Sequence, residues 1–163
     1  MNYFAYGSNL ALARLQQRVP SAQFLGRFSL NEHQLRFHMQ SQDGSGKCDA
    51  YFTQNPEHFV IGAVFKIKPT EKPSLDKAES LGVGYSQKQV NVTNRYGQEL
   101  QAFTYNALTI SGGIKPYSWY LNHVIIGAEE IEAPLDYLKQ LREVATVEDP
   151  DNARDFKERR IHI

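Results

Sequence analysis

Residues 3–10, Tyr-Phe-Ala-Tyr-Gly-Ser-Asn-Leu, require a strand to give way to a helix within three residues. The aromatic run reads as a buried strand over 2–6, and 9–18 reads as a short amphipathic helix with Leu10, Leu12 and Leu15 inside, ended by Pro20. Ser8 and Asn9 are good helix caps because their side-chain oxygens accept unpaired backbone N–H groups. Gly7 lets the backbone bend tightly and approach a ligand closely. Free N–H groups at the positive end of a helix make such a turn a natural seat for a carboxylate or a developing oxyanion.

The elements that follow narrow the architecture. Residues 23–39 read as two strands joined by a turn near Asn31-Glu32, and 42–47 as a loop. Strands are expected at 50–53 and 59–67 around the Asn55-Pro56 turn, the second apolar enough to be central. A short helix over 73–79 begins near Thr70 or Ser74. A hairpin pairs 87–93 with 99–105 across Asn94-Arg95-Tyr96-Gly97. Helices are predicted from Pro116 to about Gly127, which stops the first, and from Pro134 to Glu143. The order predicts an α+β fold with a mostly antiparallel, partly closed, barrel-like sheet and flanking helices. The segment 1–145 reads as one domain and 146–163 as a charged C-terminal tail lying on the surface.

Composition removes several function classes. Eighteen basic residues balance eighteen acidic ones, leaving no basic footprint for nucleic acid and no pull toward anionic membranes. No apolar run approaches the ~20 residues of a membrane span. Cys48 is the only cysteine, so no intrachain disulfide forms, which suits a reducing compartment. With no charged and apolar leader at its start, the chain is expected to be a soluble cytoplasmic protein. His33 and His38 fall on opposite faces of a strand, the other histidines are scattered, and no metal-ligand spacing emerges. Ser8 lacks the flanks of a nucleophile elbow, and Gly44-Ser45-Gly46-Lys47 lacks the leading glycine and following helix of a phosphate-binding loop.

Glu79 is the second anchor. It ends Leu75-Asp76-Lys77-Ala78-Glu79, with Asp76 three residues earlier on the same helix face. A negative charge at a helix C-terminus opposes the dipole, and the placement suits a general base. On residue chemistry alone a solvated surface glutamate is the favoured reading, by about four to one. The third anchor is Pro116-Tyr117-Ser118-Trp119-Tyr120 with Gly127-Ala128, whose aromatics otherwise read as helix packing.

Taken together and in order, these segments resemble the γ-glutamylcyclotransferase family (the AIG2-like fold) over residues 2 to about 143. The family carries Tyr-Gly-Ser-Asn at a first strand, Leu-Asp-x-x-Glu after a central strand, and a tyrosine seven residues before a Gly-Ala pair. Tyr6-Gly7-Ser8-Asn9, then Leu75, Asp76 and Glu79, then Tyr120 match. The family commonly has glycine after the glutamate, where this chain has Ser80, and its loop to the next tyrosine, Tyr85, varies in length.

The resemblance implies an enzyme that cyclises the γ-glutamyl group of a γ-glutamyl amino acid or peptide to 5-oxoproline, releasing the amino acid, with no cofactor or metal. It implies Glu79 as the catalytic base and a substrate pocket from Tyr3, Phe4, Ala5, Tyr6, Gly7, Ser8, Asn9, Tyr85 and Tyr120. The partner is then a small-molecule γ-glutamyl substrate, with no nucleic acid and no membrane; a homodimer is a possible assembly. The leaving group would lie over loops such as 41–48 and 109–116. Alternatives are a γ-glutamylamine cyclotransferase, a biosynthetic γ-glutamyl-removing enzyme of the same fold, or a non-catalytic binding module.

Overall fold

The structure, a computed structural model, describes residues 1–163. Seven strands and five helices follow one another: β1 (Asn2–Ala5), α1 (Leu12–Arg18), β2 (Gln23–Asn31), β3 (His33–Gln40), β4 (Gly46–Phe52), β5 (Phe59–Lys66), α2 (Lys72–Ala78), β6 (Tyr85–Thr93), β7 (Glu99–Ala107), α3 (Ser118–Glu130), α4 (Leu135–Arg142) and α5 (Asn152–Arg159). Strands close into a barrel in the order β1-β5-β2-β6-β7. Every pairing is antiparallel except the closing one, where Tyr3 of β1 meets Phe103 of β7 in parallel. The α+β, barrel-like architecture read from the sequence is the observed one.

Sequence pattern explains the centre of this barrel. β5 lies between β1 (Phe4 opposite Val64) and β2 (Leu30 opposite Val60), and its consecutive residues Val60 to Phe65 are all buried, so both its faces are covered and neither needs to be polar. Beneath the barrel and the helices lies one core, running without a break from Tyr3 to Leu141. No helix is long and apolar enough to cross a membrane.

The two strands expected either side of Asn31-Glu32 form, as β2 and β3, and two other local expectations differ from the structure. The strands either side of Glu32 do not pair with each other: β2 joins the barrel, whereas β3 and β4 form a separate two-stranded ribbon. Glu32, at φ 61°, turns the chain out of one sheet and into the other. Gly127 does not stop α3, which continues to Glu130. A Cβ there would sit 2.4 Å from Ala11 N and 2.5 Å from Leu10 C, so glycine is needed for α3 to lie against the backbone that enters α1. Leu12 is only partly buried, while Leu10 and Leu15 are in the core.

The charged C-terminal segment holds several long-range contacts. Val147 N donates to Pro116 O and Ser118 N donates to Val147 O, both at 3.0 Å. Asp149 is buried and accepts from Trp119 Nε1 at 2.8 Å and from Arg154 Nε and Nη2 at 2.6 Å each. The Arg154 guanidinium holds the Asp149 carboxyl well below the usual carboxylate range. Glu158 on α5 reaches Arg14 of α1, and its Oε2 lies 2.9 Å from Nε2 of the fully buried His123 on α3.

Candidate active site

Backbone geometry puts Glu79 where it is. Ser80 N donates to Lys77 O at 3.1 Å and Leu81 N to Asp76 O at 2.9 Å, while Ser80 sits at φ 50°. These two bonds and the left-handed residue make a Schellman motif, which ends α2 and leaves Glu79 as its C-cap. Leu75, fully buried one turn earlier, anchors the helix. Asp76 shares the face, as its spacing predicts, and ties α2 to the barrel: it accepts from Tyr105 OH at 2.6 Å and pairs with Lys72.

The Glu79 carboxylate meets the N-terminal turn. Its Oε1 accepts from Asn9 Nδ2 at 2.7 Å and from Arg18 Nη1 at 3.0 Å, while no protein donor reaches Oε2. Arg18 Nη1 also donates to Asn9 Oδ1 at 2.7 Å, and Asn9 Nδ2 also donates to Tyr3 OH at 3.1 Å. Asn9 is therefore not a helix cap. Neither it nor Ser8 makes a capping bond, because residues 8–10 form a single 3₁₀ turn ahead of α1 and the Asn9 side chain is committed to Glu79. The first bond of that turn runs from Leu10 N to Gly7 O at 3.0 Å, so the amides of Ser8 and Asn9 have no acceptor within it.

Five tyrosines and a cysteine complete the wall. Tyr3 comes from β1, Tyr6 from its end, Cys48 from β4, Tyr85 from the start of β6, Tyr105 from β7 and Tyr120 from α3. Tyr6 OH donates to Tyr105 O at 2.5 Å and Tyr85 OH to Cys48 O at 2.6 Å. Tyr120 OH accepts from Cys48 N at 3.0 Å. A Cβ on residue 7 would lie 3.0 Å from Cys48 Cβ and 3.3 Å from Tyr120 OH, which is why this close approach is made by Gly7. Burial pushes the phenols of Tyr3, Tyr6, Tyr85 and Tyr120 well up, and the Glu79 charge adds to this at Tyr3, Tyr85 and Tyr120. They stay protonated near neutrality and act as neutral hydrogen-bonding groups. Burial likewise pushes the Cys48 thiol up to about 12.

These groups enclose a recess of about 30 Å³ that shares Ser8, Glu79, Tyr85 and Tyr120 with a cleft of about 450 Å³. Arg14, Arg18, Lys47, Met39, Gln40 and Thr109 line the outer cleft, as do Ser41 and Gln42. Of the residues singled out from the sequence, the structure brings Tyr3, Tyr6, Gly7, Ser8, Asn9, Glu79, Tyr85 and Tyr120 around the recess. It does not bring Phe4 or Ala5 there. Strand alternation turns Phe4 away from Tyr3, and both Phe4 and Ala5 are buried in the core where β1 pairs with β5. Sequence reasoning missed Arg18, Tyr105 and Cys48. Arg18 stands nine residues after Asn9 across a break between two helical turns, a spacing with no periodic signal. No group of three or more His, Cys, Asp or Glu side chains is placed to hold a metal ion.

The chain is similar to known proteins in sequence and in fold. The AIG2-like family matches residues 59–141. γ-Glutamylcyclotransferases from Bos taurus and Homo sapiens are each 33% identical over 147 residues, covering 87% of this chain and 77% of theirs. A solved γ-glutamyl cyclotransferase superposes with a TM-score of 0.85 at 27% identity, covering 98% of both chains. A crystal structure of an uncharacterized human protein gives 0.82 at 28% identity, covering 95% of this chain and 96% of its own. The chain belongs to the AIG2-like, γ-glutamylcyclotransferase family.

Proposed function

We propose that the chain is a γ-glutamylcyclotransferase that converts the γ-glutamyl group of a γ-glutamyl amino acid or peptide to 5-oxoproline, with Glu79 as the base. The observation that carries this reading is the Glu79 carboxylate facing, across a recess of tyrosines, a turn whose Ser8 and Asn9 amides lack partners within it. A recess of about 30 Å³ has the volume of roughly one water molecule, so it seats one oxygen-bearing group of the substrate and not the whole of it. The rest extends into the larger cleft, where Ser41, Gln42, Lys47 and Thr109 face the departing group.

The chemistry follows from these positions. Glu79 takes a proton from the substrate α-ammonium, whose reference pKa is roughly 8. The freed amine attacks its own γ-carbonyl carbon; a C–N bond forms and the carbonyl electrons move to oxygen. Closure of a five-membered ring within one molecule supplies much of the rate. Preorganised donors of the Gly7-Ser8-Asn9 turn and the hydroxyls of Tyr3 and Tyr120, which accept but do not donate within the protein, stabilise the oxyanion. As it collapses, the bond to the departing nitrogen breaks, Glu79 returns its proton there, and the ring nitrogen gives up its second proton, which ends on the freed amine as ammonium. The products are 5-oxoproline and a free amino acid or shortened peptide.

A panel of γ-glutamyl dipeptides, glutathione and γ-glutamyl-lysine isomers tests the proposal, with 5-oxoproline release as the readout. Release from the dipeptides supports it. Release from the ε-linked lysine isomer alone would transfer the protein to γ-glutamylamine chemistry, and ligand-induced thermal stabilisation without product would make it a binding module.

A further inference from the structure

The two oxygens of Glu79 are not equivalent. Oε1 is held by two donors and Oε2 by none. Three side chains close a ring: Arg18 Nη1 donates to Asn9 Oδ1 at 2.7 Å and to Glu79 Oε1 at 3.0 Å, and Asn9 Nδ2 donates to Glu79 Oε1 at 2.7 Å. Every polar atom of the Asn9 amide is used in a way that fixes its orientation, oxygen toward the cation and nitrogen toward the carboxylate. The side chains of Arg18 and Glu79 are only 22% and 15% exposed, so the pair is largely withdrawn from solvent.

We propose that Arg18 and Asn9 are positioning residues for Glu79: they immobilise Oε1 and leave Oε2 as the one atom that takes and returns the proton. This rests on the cyclotransferase reading. Neither residue exchanges a proton in the scheme. Arg18 is a permanent cation with donors only, and Asn9 reaches the substrate through its backbone amide while its side chain faces Glu79. The device addresses a real requirement. A glutamate at a helix C-cap has three rotatable side-chain bonds, and general-base catalysis needs its oxygen within hydrogen-bond reach of the ammonium proton. A fixed rotamer keeps that distance, whereas a displacement of about 1 Å costs on the order of 10²-fold in rate.

The test is steady-state release of 5-oxoproline from γ-glutamyl-alanine by full-length Arg18→Ala, Arg18→Lys and Asn9→Ala proteins, with Glu79→Gln alongside. The expected result is a fall in kcat on the order of 10²-fold for Arg18→Ala and Asn9→Ala, with KM unchanged. Arg18→Lys should recover part of the loss, and millimolar methylguanidine should raise the kcat of Arg18→Ala, which a purely structural defect would not allow. The double variant should lose no more than the worse single one, because the two residues act as a unit. A rise in KM at constant kcat would make Arg18 a substrate-binding residue and overturn the proposal, as would full activity in both alanine variants. Should Arg18→Ala fail to fold, Asn9→Ala carries the same test. Turnover surviving in Glu79→Gln would instead overturn the base assignment beneath it.

Discussion

At the scale of single residues, the tyrosines and the cysteine of the recess are held neutral by burial, beside the one carboxylate of Glu79. Cys48 lines the recess, yet its thiol is pushed up to about 12, so almost none is thiolate near neutrality. Iodoacetamide is therefore expected to modify the native protein far more slowly than the urea-unfolded chain. Equal rates would mean that Cys48 is not buried as described. Ser80 presents the reverse case, a residue whose backbone works against its side chain. At φ 50° it occupies the left-handed region that the Schellman bond pattern demands, and a side chain there costs about 1–2 kcal/mol. The greater freedom of glycine in the unfolded chain offsets part of that relief. Ser80→Gly should raise unfolding free energy by up to about 1 kcal/mol, measured by urea titration.

At the scale of elements, helices α1, α3 and α5 meet on a buried charged cluster. His123 is fully buried; burial first, then Arg14 and His162, depress its pKa to about 4, although the bond to Glu158 opposes this. Its unfolded value is near 6.5, so between those limits the unfolded chain binds the extra proton and stability falls as pH is lowered. Glu158, which burial pushes up but the bond to His123 and the charge of Arg14 hold down at about 2, takes more stability away as pH falls from about 4.5 toward 2. The unfolding midpoint in urea should thus drop steadily from pH 7 to pH 4, and His123→Asn should flatten the upper part of that fall. A profile flat between pH 7 and 4 would contradict the arrangement.

Much at this scale was legible in the sequence, and the reasons differ from element to element. The β6–β7 hairpin announces itself through alternation around Asn94-Arg95-Tyr96-Gly97, and β5 through its apolar run, because both signals are local. The separation of β2 from β3 was hidden. It depends on β2 pairing with β5 some thirty residues away, with a register shift between Phe24 and Gly26, and local propensity carries no trace of such a partner. Gly127 was misread for the same reason: its small size serves a contact with Leu10 and Ala11, over a hundred residues earlier, and not a helix end. Around the recess, the aromatic and turn residues were readable as a segment. Arg18 and Tyr105 were not, since only the closed barrel brings them beside Glu79 and Asp76.

At the scale of the whole molecule, the barrel is a frame on whose rim three separate stretches of chain converge: the turn after β1, the end of α2 and the first turns of α3. The last eighteen residues belong to the same account. Removing them would strip Asp149 from Trp119 and Glu158 from Arg14 and His123, leaving two buried cationic or titratable groups without their carboxylate. Loss of one partner of a buried pair costs about 3–5 kcal/mol, a large part of the stability of a domain this size. A chain ended after residue 145 should unfold at markedly lower temperature than the full chain or fail to fold; an unchanged Tm would make the segment a dispensable tail.

The central claim is that one carboxylate oxygen of Glu79 moves the proton on which cyclisation depends. It is tested most directly by 5-oxoproline release from a γ-glutamyl dipeptide by Glu79→Gln, a substitution that keeps shape and hydrogen-bonding reach while removing the base. The account predicts a circular dichroism spectrum like that of the parent and a loss of turnover on the order of 10²–10⁴-fold. Turnover near the parent rate in a folded Glu79→Gln protein would contradict it.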